Sequence, residues 1–145
     1  MKLALEIILS TIHLGSARRV VTLGLDGEDL AEEFLTSVAK SNHKGFDAIR
    51  SRVKAIAEYE HYENEYTFRH VGDGIYEFKR PGLRLYAFYD ELPGLKPQLI
   101  IATNGGSKKD QQADIARAKA RKIAYDRRKA SPGVKIRLLI LPDEN

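Results

Sequence analysis

Apolar and polar positions alternate in some stretches of this chain and recur at helical spacing in others. Residues 18–25, RRVVTLGL, are β-branched and lie between Gly15 and the Asp26-Gly27 turn signal, which predicts a strand. The apolar run at residues 3–9 fits either a strand or a short helix by the same measure. From Glu28 the period lengthens: Leu30, Phe34 and Val38 fall on one stripe, with Ala31 and Leu35 beside it. Glu28, Asp29, Glu32 and Glu33 crowd the first turns, where the helix dipole favours negative charge, and the helix is predicted to end near Lys40. A second helix over residues 46–60 would bury Phe46, Ile49, Val53, Ile56 and Ala57. The short link SNHKG makes the two an antiparallel helical hairpin, suited to covering one face of a sheet.

Period-2 alternation returns at residues 75–79 and 83–89, joined by Arg80-Pro81-Gly82, so a β-hairpin is expected. In its second strand Leu83, Leu85, Ala87 and Tyr89 share one face, and Arg84, Tyr86, Phe88 and Asp90 the other. Residues 98–103 form an unbroken apolar run, as a central strand requires. Gly105-Gly106, like Gly72 and Gly74, reads as a turn, after which Ser107 would cap a helix starting near Lys108. Ile115, Ala116, Ala120, Ile123 and Ala124 are placed on its inner side, leaving Arg117, Arg121 and Arg128 outside. Ser131-Pro132-Gly133 ends it, and VKIRLLIL is expected to form a terminal strand that pairs with the N-terminal segment.

At 145 residues, 43% hydrophobic and 30% charged, the chain has the makings of one ordered domain. The absence of cysteine excludes disulfides, cysteine nucleophiles and thiolate metal sites, and fits a cytoplasmic location. Glu6 interrupts the N-terminal apolar run, which therefore reads as structure and not as a signal peptide. No apolar stretch approaches the ~20 residues of a membrane helix. The net charge of +4 conceals an asymmetry: residues 108–137 carry eleven Lys and Arg against Asp110, Asp114 and Asp126, a local net of +8. Such a segment attracts anions and makes nucleic-acid binding salt-dependent.

His13, His43, His61 and His70 show no metal-binding spacing, and neither a dinucleotide fingerprint, a P-loop nor a hydrolase elbow is present, so no metal and no cofactor is expected. The remaining chemistry lies in Lys79, Arg80, Arg84, Tyr86, Lys108 and Lys109, placed on the strands of one sheet and the turn after it. RNA cleavage without a metal needs a base for the 2′-OH, cations for the phosphorane and an acid for the leaving 5′-oxygen. Arg and Lys supply the charge, and Tyr or a desolvated Lys transfers protons.

The succession GIYEFK, LRLYAFYD, an apolar strand, then KKDQQADIARAKAR resembles the RelE/HigB superfamily of type II toxins, in particular its phage-derived branch. The order of elements matches over residues 28–128, and the sequence itself over about 74–122. The resemblance implies an α+β, RelE-like fold: an N-terminal helical hairpin packed on a mostly antiparallel twisted sheet, then a basic C-terminal helix. The core would span residues 16–130 of a single domain, with extensions at both ends. It further implies a toxin that cleaves mRNA on the ribosome and inhibits translation, neutralised by a cognate antitoxin in a homodimer or toxin–antitoxin assembly. Arg84, Tyr86, Lys79 and Lys108 would be catalytic, and Arg80, Lys109, Arg117, Arg121 and Arg128 would hold RNA. Thr103-Asn104-Gly105-Gly106-Ser107 departs from the family's usual lead-in to the lysines, and Tyr125 is the candidate for a C-terminal Tyr or His that several relatives use. The alternatives are a non-enzymatic protein, either a ParE-like gyrase inhibitor or a phage nucleic-acid-binding protein.

Overall fold

The computed structural model describes residues 5–59 and 68–144. Two strands come first, β1 (Glu6–Leu14) and β2 (Arg18–Leu25), followed by helices α1 (Leu30–Ser41) and α2 (His43–Glu58). Strands β3 (Phe68–Gly72), β4 (Ile75–Arg80), β5 (Leu83–Asp90) and β6 (Gln98–Ser107) lead through a 3-10 turn at Lys108–Asp110 into α3 (Gln111–Lys129), and β7 (Lys135–Leu139) is last. Among the described residues the seven strands join one sheet in the order β3-β4-β5-β6-β2-β1-β7.

This architecture is α+β, but it overturns the expected RelE-like arrangement. The helical hairpin is not N-terminal: two strands precede it, and β2 lies inside the sheet between β6 and β1. The sheet is mixed, with β2 parallel to β6 and β7 parallel to β1. The physical reason lies in the termini themselves. Ile7 and Leu9 are fully buried on one face of β1 and almost every residue of β2 is buried, so both strands need neighbours, with cover on one face of β1 and on both faces of β2. The segments expected as extensions at residues 1–15 and 131–145 thus contribute β1 and β7 to the main sheet. The pairing of the C-terminal strand with the N-terminal one is as expected; the ambiguous run before residue 10 resolves as strand.

The sheet is sandwiched. Val20, Ile49, Val53, Phe78, Leu85 and Ile100 form the core beneath α1 and α2, while Leu9, Leu23, Phe88, Ile101, Ala118 and Tyr125 form the one beneath α3. The interhelical link is tighter than expected, because Asn42 serves both helices. Its N–H donates to Val38 O at 2.8 Å to close α1, and its Oδ1 accepts from Gly45 N at 3.0 Å to open α2. Asp29 caps α1 through Glu32 N at 2.9 Å and accepts from the Thr22 hydroxyl at 2.6 Å, tying the helix to β2. The second helix reaches Glu58, and the expected Glu60 terminus lies outside the described residues. Strand β3 has no counterpart among the elements read from the sequence.

Where α3 ends, Tyr125 donates to Asp90 at 2.5 Å and Lys129 contacts the same carboxylate at 2.9 Å. Burial works to raise the pKa of Asp90, but these hydrogen bonds outweigh it and hold the carboxyl below its ordinary 3.8. A depressed carboxyl contributes stability that is present above its unfolded value and is lost as pH falls through the folded one. Asp90→Asn should therefore cost about 1–2 kcal/mol at pH 7. The difference from wild type should shrink below pH 3.8, as read by urea unfolding at several pH values.

Candidate anion-binding end of the sheet

Register places most of the expected site residues at one end of the sheet. Lys79 pairs with Arg84 and Arg80 with Leu83 across the β4–β5 turn; Arg84 then pairs with Gly106 and Leu83 with Ser107 on β6. The backbone N–H of Lys108 donates to Gly82 O at 3.1 Å, which fastens the start of the 3-10 turn to the hairpin. Lys79, Arg80, Arg84, Lys108 and Lys109 are consequently neighbours. The first turn of α2 joins them, because Gly45 lies so close to β5 that an added Cβ would stand 2.6 Å from Leu83 Cδ1. That contact puts exposed His43 and Lys44 at the same end.

Helix α3 begins here without a side-chain cap: neither Ser107 nor Asp110 accepts from its first-turn N–H groups. The Ser107 hydroxyl is turned to Asp110 Oδ2 at 3.3 Å. Uncapped N–H groups and four Lys or Arg side chains at the surface make this rim attractive to phosphate.

Behind the rim the α3 side of the sheet is polar, and the sequence reading missed most of it. Arg69, Glu77, Tyr86 and Asn104 stand in register across β3, β4, β5 and β6. Glu77 is wholly buried; its Oε1 accepts from Arg69 Nε at 2.7 Å, and its Oε2 lies 3.8 Å from Arg84 Nε. Arg84, 3% exposed, donates through Nη1 to Arg80 O at 2.9 Å and Leu83 O at 2.8 Å. Its guanidinium therefore closes the turn that carries Lys79 and Arg80. Tyr86 is fully buried and its hydroxyl has no hydrogen-bond partner among the described residues. Burial, reinforced by the charges of Glu77 and Asp114 and opposed by Arg84 and Arg69, pushes its phenol up to about 12. A phenol so placed does not exchange protons with a ligand at the surface at neutral pH.

Asp114, on the first turn of α3, is a group the sequence reading did not single out. It is 6% exposed, its backbone carbonyl accepts from Asn104 Nδ2 at 3.0 Å, and Arg117 stands 3.5 Å from its carboxylate. Burial raises its carboxyl despite Arg117, with Asp110 adding to the shift. The two glycines before it are not a turn but the end of β6: a Cβ on Gly106 would collide with Asp114, and one on Gly105 with the Phe34 ring of α1. A glycine pair closing an apolar strand was the signal of close approach from both layers.

The phase of α3 also differs from expectation. Its buried face runs Asp114, Ala118, Tyr125, while Ile123 is 52% exposed. Arg121 and Arg128 turn inward toward the end of β2. Arg121 donates to Leu23 O and Glu28 O, each at 3.1 Å, and Arg128 grips Asp26 with two bonds of 2.8 and 2.9 Å. Arg117 alone of the three keeps an exposed side chain, and it sits at the rim. Tyr125 is buried at the opposite end of the α3 face.

Among the described residues no three His, Asp or Glu side chains gather as a metal site. His13 lies 3.0 Å from Glu58, His70 accepts from Gly74 N at 3.1 Å, and His61 falls outside the described residues. No described helix is long and apolar enough to cross a membrane. The fold and rim define an α+β protein whose described strands form one mixed sheet, with a cationic end beside two helix N-termini. No family model, curated protein or solved structure matches the chain.

Proposed function

We propose that this protein binds the phosphate backbone of RNA at the cationic end of its sheet. The observation that carries the reading is the meeting of Lys79, Arg80, Lys108 and Lys109 where the uncapped start of α3 and the first turn of α2 also point. Cations on separate elements, their main chains fixed by strand pairing, meet a polyanion at several points without rearrangement of the backbone. In labelled-RNA anisotropy a single-stranded RNA should bind, and Lys79→Ala with Lys108→Ala should weaken it by about 10–100-fold. Unchanged affinity in that double variant contradicts the reading.

A second reading adds catalysis: a translation-inhibiting toxin that cleaves mRNA on the ribosome without a metal, restrained by a cognate antitoxin. It draws on the resemblance of residues 74–122 and on one structural feature, the placement of the nearly buried Asp114 carboxyl beside Arg117 at the rim. Cleavage would join the 2′-oxygen to phosphorus as its proton passes to solvent water, break the bond from phosphorus to the 5′-oxygen and release that oxygen with a proton from an acid, leaving a 2′,3′-cyclic phosphate. Lys79 and Lys108 would steady the phosphorane, and Asp114 would donate the proton; Arg84 and Tyr86 support the turn and the sheet behind them. Messenger RNA should be cut in a translation extract by wild type and at least tenfold more slowly by Asp114→Asn. Intact message with wild type, alongside RNA binding, leaves the binding reading and removes the enzymatic one.

A further inference from the structure

The helical layer lies over β4, β5, β6 and β2 and reaches the end of β1 through α2, but it stops short of the start of β1 and of β7. Helix α1 packs chiefly on β6 and β2, and among the described residues β7 has β1 alone as a neighbour in the sheet. Ile7 and Leu9 point into the core beneath α3, so Ile8 and Ser10 face the α1 side. There Ser10 pairs with Leu139, which is 42% exposed. The result is a trough of about 430 Å³ floored by Ile8, Ser10, Gly24 and Leu139. It runs on into a second of about 460 Å³ that shares Ser10 and is floored by Ile12, Leu35 and Phe46. Gly24 keeps the floor low, since a Cβ there would stand 3.3 Å from that of Ile8.

Acidic side chains predominate in the walls. Glu6, Asp26, Glu28, Asp29 and Glu32 line the first trough, with Arg128 the one cation among the described lining residues. Arg128 is already committed to Asp26, Arg121 stands 3.4 Å from Glu28, and Arg137 is 3.6 Å from Glu6. The Glu32 carboxylate, common to both troughs, has no ion-pair partner among the described residues. Toward the C-terminus of α1 the lining changes to Lys40. An apolar floor, an acidic wall and a charge gradient along α1 specify what completes the layer.

We propose that this trough docks a basic amphipathic helix of a partner protein, lying beside α1. Its apolar stripe rests on Ile8, Ile12 and Leu139, and its Lys and Arg residues face Glu28 and Glu32. Antiparallel packing puts its cationic C-terminal end beside the acidic start of α1, where both helix dipoles favour the pairing. The docking face is separate from the cationic rim and does not depend on the RNA reading.

The test uses the full isotope-labelled chain and a synthetic amphipathic Leu/Lys peptide of about 18 residues, long enough to form helix on binding. A control peptide of the same composition scatters its leucines around all faces. Amide shifts should change at Ile8, Ser10, Glu32 and Leu139, and the control should bind at least tenfold more weakly. Glu32→Lys, at an exposed position, should weaken the amphipathic peptide about tenfold, and Ser10→Trp, which fills the floor, should abolish its shifts. Should Ser10→Trp disturb the fold, Glu32→Lys decides alone. Shifts confined to another surface, equal binding of the control, or self-association through the trough in the absence of peptide would each overturn the proposal.

Discussion

A chain carrying Glu77→Leu is expected to lose about 3–5 kcal/mol of unfolding free energy, and one carrying both Glu77→Leu and Arg84→Met to regain most of it. Glu77 is fully buried and Arg84 nearly so, with 3.8 Å between Oε2 and Nε. Removing the carboxylate leaves a guanidinium in the interior with only the Arg80 and Leu83 carbonyls for company. Neutral hydrogen-bond acceptors do not offset a buried positive charge as a carboxylate does, so the single variant bears a desolvation cost that the double variant avoids. Arg69, whose side chain is 47% exposed, can turn to solvent when Glu77 is lost and adds little to the penalty. Urea unfolding of the four chains of the cycle gives the coupling directly. Simple additivity would show that the buried pair does not act as a unit.

Gly15→Ala is expected to be nearly as damaging, at roughly 3 kcal/mol, although it adds only a methyl group. Gly15 sits in the β1–β2 connection directly under the last turn of α2, and a Cβ there would fall on the Ala57 carbonyl. That carbonyl is not free to move, because it accepts from Ala17 N at 2.9 Å. Arg18 Nη1 also donates to Ile56 O and Tyr59 O, each at 2.9 Å, so the whole turn is fixed to the strands. The opposing atom is backbone, so no rotamer change relieves the overlap, and the helix itself must shift. A thermal midpoint within about two degrees of wild type would show that the connection yields more easily than these bonds imply.

The elements that were legible in the sequence are those whose burial is expressed by period alone. RRVVTLGL, the hairpin from Ile75 to Asp90 and the run QLIIAT all read correctly as strands because their alternation or unbroken apolarity reflects a pleated, covered surface. The paired helices were legible for the same reason at period 3.6. Helix α3 was legible as a helix but not in phase, because Ala113, Ala116, Ala118, Ala120 and Ala124 are spread around it and mark no inner face. Tyr125 and the aliphatic stems of Arg121 and Arg128 settle the phase instead, and long basic side chains that reach back to carbonyls and carboxylates look like surface residues in a sequence.

The site was half legible. That Lys79, Arg84 and Lys108 converge follows from hairpin register, which a tight turn and alternating strands already imply. The burial of Arg84 and Tyr86 does not, because it depends on α3 crossing that face. Glu77 offered the missed signal: a carboxylate at an inward position of an apolar strand requires a buried cation nearby, and Arg84 is its diagonal neighbour on β5. The order of the sheet was least legible. The parallel pairing of β2 with β6 joins segments more than seventy residues apart, and no local pattern records it.

The salt dependence of RNA binding tests the central assignment most directly. With a single-stranded RNA, the slope of log affinity against log salt should fall in magnitude by about two for the triple change Lys79→Ala, Lys108→Ala, Lys109→Ala, since each lost phosphate contact removes ~0.7. Arg127→Ala, exposed near the far end of α3, should leave the slope at its wild-type value. If Arg127→Ala reduces the slope while the triple change leaves it untouched, RNA is held along the helix and the cationic end of the sheet is not the site.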